Sequence, residues 1–127
     1  MLVTPYTTHT AVFGAVLSLL REKRKIKQGV FAKKIEMSNP SISKIEKGDT
    51  PLSYENLIRC SSILGLKASA ILDICEKIED RLVERGIQVL MEAPKGDVLA
   101  KDLMHMEMFG RMLREYIKNS KLYEYVT

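Results

Sequence analysis

The chain has 127 residues and a net charge of +4, with 46% hydrophobic and 28% charged side chains. That composition excludes a disordered polymer and fits one compact domain with an appended element. Two cysteines and two histidines, in no metal or redox spacing, give no sign of a disulfide scaffold, a zinc site or a catalytic cluster.

Residues 1–9, MLVTPYTTH, read as a polar arm that Pro5 keeps out of a helix and that has no Arg or Lys for a minor groove. A disordered or dimer-packing arm is expected. The run 11–20, AVFGAVLSLL, is too short to span a bilayer, and its basic cluster follows rather than precedes it, unlike a signal peptide. It belongs to a first helix over 10–25, with Val12, Val16, Leu19 and Leu20 inward. A cytoplasmic protein is expected, with no membrane association.

A second helix over 28–35 carries Val30, Phe31 and Ile35, with small Ala32 where another helix must approach closely. Glu36-Met37 makes a bend. Ser38 is a good N-cap, and Pro40 is tolerated in a first turn whose amides have no helical partner. The third helix, 39–47, buries Ile42 and Ile45 and turns Asn39, Pro40, Ser43, Lys44 and Lys47 outward, with Gly48 as its stop. Ser53 caps a fourth helix with Leu57, Ile58 and Leu64 facing the core, and Ser69 caps a fifth. The spacing of Ile71, Ile74, Ile78, Leu82 and Val89 carries the fifth helix to about Met91, with Gly86 as a weak point. Residues 93–96 break it. Asp97 then caps a last helix in which Leu99, Leu103, Met106, Gly110, Leu113 and Ile117 alternate by four and three, the seam spacing of helices that pack lengthwise.

Two short helices with a polar, basic second one describe a helix-turn-helix that offers its second helix to DNA. Residues 12–72 resemble the phage-repressor and Cro-type family of transcriptional regulators. The resemblance rests on Arg21-Glu22-Lys23-Arg24, Gln28, Ala32, Ser38, the run Ile42-Ser43-Lys44-Ile45-Glu46-Lys47-Gly48, and Pro51, Ser53 and Leu57. Glu36 departs from the small residue usual in the turn, so a looser bend is expected. The fold implied is all-α: an arm at 1–9, a five-helix DNA-binding domain at 10–72, and a helical hairpin at 73–127 for dimerisation.

Charge supports this division. Residues 1–69 hold eleven Lys/Arg against five Asp/Glu, whereas residues 70–127 hold nine against eleven. The positive half is the one that would displace counterions from phosphates. Asn39 is suited to adenine, Lys44 to guanine O6 and N7, Pro40 to a thymine methyl, and Ser43 to either role. Gln28, Ser38, Ser41, Lys47, Thr50, Arg24 and Lys27 are candidate phosphate partners. Glu46 is expected to be structural, paired with a basic side chain, because an acid facing phosphate would be repelled.

The expected partners are double-stranded DNA and a second copy, joined through Ile78, Leu82, Leu99, Leu103, Met106, Leu113 and Ile117, and the expected role is repression at a palindromic operator. The alternative is an antitoxin-like autoregulator or adaptor whose C-terminal helices bind another protein. His105, Met108 and Met112 share a helical face that would suit Cu(I), but Met in such a stripe is chiefly a packing residue. No cofactor, metal or enzyme activity is expected.

Overall fold

A computed structural model of the chain describes residues 6–92. In order they form β1 (Tyr6–Thr8), α1 (His9–Lys23), α2 (Gln28–Lys34), α3 (Asn39–Glu46), α4 (Tyr54–Leu64), α5 (Ala68–Glu84) and β2 (Gln88–Leu90). The C-terminal hairpin, with Leu99, Leu103, Met106, Leu113 and Ile117 and the His105 face, lies outside the described residues.

The helices are set by their ends. Thr8, Ser38 and Ser53 each accept a hydrogen bond on the side-chain oxygen from the amide three residues on, satisfying one donor that the helix leaves open. The C-termini share one device. After each of the five helices a residue with φ between 58° and 83° reverses the chain, and two amides return to carbonyls of the last turn. Gly48, Gly65 and Gly86 fill that position after α3, α4 and α5, whereas Lys25 and Glu36 fill it after α1 and α2. A side chain in this region costs about 1 kcal/mol. The bend at Glu36 is nevertheless tight, contrary to the looser turn expected there: its amide donates to Lys33 O at 3.1 Å and that of Met37 to Ala32 O at 2.9 Å.

One aliphatic core joins all five helices. Val12, Val16, Leu17 and Leu20 of α1 meet Phe31 and Ala32 of α2, Ile42 and Ile45 of α3, Leu64 of α4, and Ile71, Ile74, Ile78 and Leu82 of α5. One inward assignment, Ile58, is corrected. Ile58 is 42% exposed, as is Val30 at 48%; Leu19 packs half-buried against the core, and Leu17 beside it is fully inside. Short α2 presents only Phe31 and Ala32 to the core, and on α4 the 3.6-residue period lets Leu57, Cys60 and Leu64 take the inner side.

The ends of the domain also differ from the sequence reading. Tyr6–Thr8 is no free arm: it pairs in parallel with Gln88–Leu90, Tyr6 opposite Gln88 and Thr8 opposite Leu90, and Tyr6 and Thr7 are buried. The helical domain therefore carries a small two-stranded sheet. α5 stops at Glu84 instead of reaching Met91, because Gly86 takes φ 81° and closes the chain back on Val83 O and Leu82 O. Val89 consequently sits in a strand. Nor is Ser69 the cap of α5, which begins one residue earlier behind an extended Lys67.

Ile78 and Leu82, expected at a dimer interface, are 2% and 0% exposed within one chain. Their side chains already cover the base of the core, leaving no surface for a second copy. Among the described residues no helix is long and apolar enough to cross a membrane.

Cys60 and Cys75 are buried free thiols, each pushed from 9.0 up to about 12 by burial, with a smaller push from Glu46 on Cys60 and from Glu79 on Cys75. An unfolded thiol ionises near 9, so stability conferred by the protonated thiols is complete below that pH and is lost as pH rises from there toward 12. The denaturation midpoint should therefore fall between pH 8 and pH 10. At pH 8 a thiol reagent should modify the native chain only after denaturant is added; rapid modification of both cysteines without denaturant would refute their burial.

Candidate nucleic-acid interface

α3 is short, and its placement is decided by its neighbours. Ser38 Oγ accepts from the Ser41 amide at 3.2 Å and lies 2.7 Å from Ser41 Oγ, so the two hydroxyls brace the first turn. Pro40 stands in that turn. Ile42 and Ile45, 0% and 3% exposed, anchor the inner side. Asn39, Pro40, Lys44 and Lys47 are exposed on the outer side, while Ser41 and Ser43 are half-buried beside them.

Two glycines let α3 seat against α1. A Cβ on Gly14 would stand 2.1 Å from Ile45 O, and one on Gly48 would stand 2.7 Å from Ala11 Cα. Gly48 was legible as a helix stop, but Gly14 was missed. Its signal was a lone glycine inside an apolar helical run, which often marks close approach of another backbone.

Below this contact three helices are tied by one carboxylate. Arg21 of α1 donates from Nε to Glu46 Oε2 at 2.7 Å and from Nη2 to Oε1 at 3.0 Å, and Gln28 Nε2 at the start of α2 donates to the same Oε1 at 3.0 Å. Arg21 Nη1 also reaches Ile26 O at 2.7 Å, closing the α1–α2 connection. The Arg21 and Glu46 side chains are only 10% and 6% exposed. The Arg21 pKa is raised, chiefly by its hydrogen bond to Glu46, and its charge is fixed. Glu46 is thus structural, as its sequence position suggested. Gln28 braces the last turn of α3, with its second amide hydrogen not engaged in that bond.

The remaining candidates divide. Lys27, Lys47 and Thr50 are exposed around α2 and α3. Arg24 is not presented in the same way: it is half-buried, its guanidinium lies over Gly65 at the end of α4, and its buried Nε has no hydrogen-bond partner among the described residues. The exposed Arg59–Glu36 contact at 3.8 Å, between α4 and the turn, is a weak surface pair.

The geometry is therefore a small-residue helix, a tight turn and a polar second helix held outward by a buried ion pair. Residues 17–71 match a family model described as helix-turn-helix. Over those residues the chain is similar to the helix-turn-helix family, in agreement with the resemblance read from the sequence. A solved structure, that of the clp gene regulator ClgR from Corynebacterium glutamicum, is similar in fold, with a TM-score of 0.60 over 64% of this chain and 86% of that one, at 20% identity. The curated proteins give no match. The matched element is a helix-turn-helix, a motif that offers its second helix to DNA, and α3 is that second helix.

Proposed function

We propose that the chain is a sequence-specific regulator that represses transcription by occupying a palindromic operator as a homodimer. What carries this reading is the exposed first face of α3, with Asn39, Pro40 and Lys44 outward, on a helix whose far end is locked by Arg21, Glu46 and Gln28. Such a helix enters the major groove without reorganising, so little ordering entropy is lost on binding. Asn39 and Lys44 read base edges, each good contact contributing roughly 1–3 kcal/mol of discrimination, with Pro40 and Ser43 beside them. Lys27, Lys47, Thr50 and the Ser38–Ser41 pair meet phosphates, and Gln28 adds its remaining amide hydrogen. The second copy is held through the C-terminal seam of Leu99, Leu103, Met106, Leu113 and Ile117. Two helices delivered a helical turn apart supply the affinity that one lacks.

Selecting bound duplexes from a random pool, with the mass of the complex measured in solution, tests the reading directly. Two related half-sites on a two-copy complex are expected; random selected sequences would reject it. With the operator known, Lys44→Ala should lose about 1–3 kcal/mol on operator and little on random duplex. Lys47→Ala should lose affinity on both and reduce the salt slope by about one. Identical behaviour of the two variants would refute the division of roles.

A further inference from the structure

With Ile78 and Leu82 committed to the core, a dimer needs another apolar surface on the folded domain. One groove qualifies. It has a volume of about 370 Å³ and runs between α1, the start of α4 and α5, lined by Phe13, Leu52, Leu57 and Leu72 among others and by His9, whose Nδ1 lies 2.5 Å from Glu79 Oε2. Tyr54 and Leu72 on its walls are 71% and 42% exposed. On α5, Leu72, Glu76, Glu79 and Val83 follow one another by four, three and four, so they form a single stripe: apolar at both ends and acidic between. Val83 is 60% exposed.

The sequence supplies a matching ligand. Residues 99–117 carry an apolar seam, and Arg111, Arg114 and Lys118 each follow directly after a seam residue, Gly110, Leu113 and Ile117. At 100° per residue all three fall on one flank of that seam. An apolar ridge with a basic flank fits an apolar groove with an acidic stripe.

The dimer reading decides whose groove is filled: a seam seated in its own groove would join nothing, whereas one that crosses ties two copies together.

We propose that in the homodimer each C-terminal seam crosses to the second copy and seats its Leu113–Ile117 end in that copy's α1–α4–α5 groove, with Arg111, Arg114 and Lys118 against exposed Glu76, Glu79 being held by His9. This rests on the dimer reading above and names its interface.

The full chain, half of it labelled with heavy nitrogen and co-refolded with unlabelled chain, would be coupled with a zero-length carbodiimide and its cross-linked peptides weighed, alongside the mass in solution. A dimer with Glu76 joined to Lys118 across the two labels is expected. Leu72→Glu, at a partly exposed site where folding is not at risk, should weaken dimerisation about tenfold or more with unchanged helix content. A dimer with groove cross-links only within one label, or with none, overturns this inference and leaves the dimer standing. Undiminished dimerisation of Leu72→Glu does the same. A monomer overturns both.

Discussion

Glu46→Ala should destabilise the domain by about 3–5 kcal/mol, the usual consequence of stranding one member of a buried ion pair. The Arg21 guanidinium, 10% exposed, would keep only the Ile26 carbonyl and a long 4.0 Å contact with the exposed Glu22 carboxylate, and Gln28 would lose its acceptor. The loss comes from the uncompensated charge more than from any large net gain of the pair itself, since two buried charges lose much hydration. Replacing both members, Arg21→Met with Glu46→Leu, should therefore recover most of the stability. Urea unfolding of the two single variants and the double variant checks this as a cycle. A Glu46→Ala loss within about 1 kcal/mol would mean that water already screens the pair. Function should follow stability only in part. The double variant, folded but without the Gln28 brace, should bind operator more weakly than the parent, because α3 is then held by Ile42 and Ile45 alone.

The buried pair also shows what could be read beforehand. That Glu46 was structural followed from charge logic, since an acid on a DNA-facing helix must be occupied elsewhere. Ser38, Pro40 and Gly48 likewise carried their positions in their own chemistry, and α3 begins and ends where they require. The exposed site residues Asn39, Pro40 and Lys44 needed only the helical period and the two buried isoleucines. What was not legible depended on contacts distant in sequence. Nothing near Tyr6 announces a strand, because the strand exists only through its partner 82 residues later, Gln88. The same pairing drew Val89 out of a helical pattern that fitted it well, once Gly86 had offered a place to stop. Arg24 looked like its neighbours in a basic run, yet half-burial over Gly65 sets it apart. Ile58 was assigned inward from hydrophobicity, which says less about orientation in a helix of 11 residues than in a longer one.

Gly14→Ala should cost about 2–3 kcal/mol although alanine is the better helix former. In an isolated helix this substitution is favourable by about 1 kcal/mol. Here the added methyl would stand 2.1 Å from the Ile45 carbonyl oxygen and 3.1 Å from that of Glu46, and both are backbone atoms of α3 that cannot turn aside. Relief requires α1 and α3 to separate by about 1 Å, opening the packing of Val16, Ile42 and Ile45 and stretching the Arg21–Glu46 bonds; overpacking of this kind costs about 1–3 kcal/mol or more. Gly29→Ala is the control. Gly29 lies in the first turn of α2 with nothing within 4 Å of an added Cβ, so it should be neutral or stabilising by up to about 1 kcal/mol. Chemical unfolding should thus give shifts of opposite sign for one and the same substitution, with helix content preserved in both. Because Gly14 sits under the end of α3 that carries Glu46, Gly14→Ala should also reduce operator affinity while non-specific, salt-dependent binding through Lys27 and Lys47 persists. Equal stability of the two variants would show that α1 and α3 are not in contact at Gly14, and the close seating of α3 would have to be abandoned.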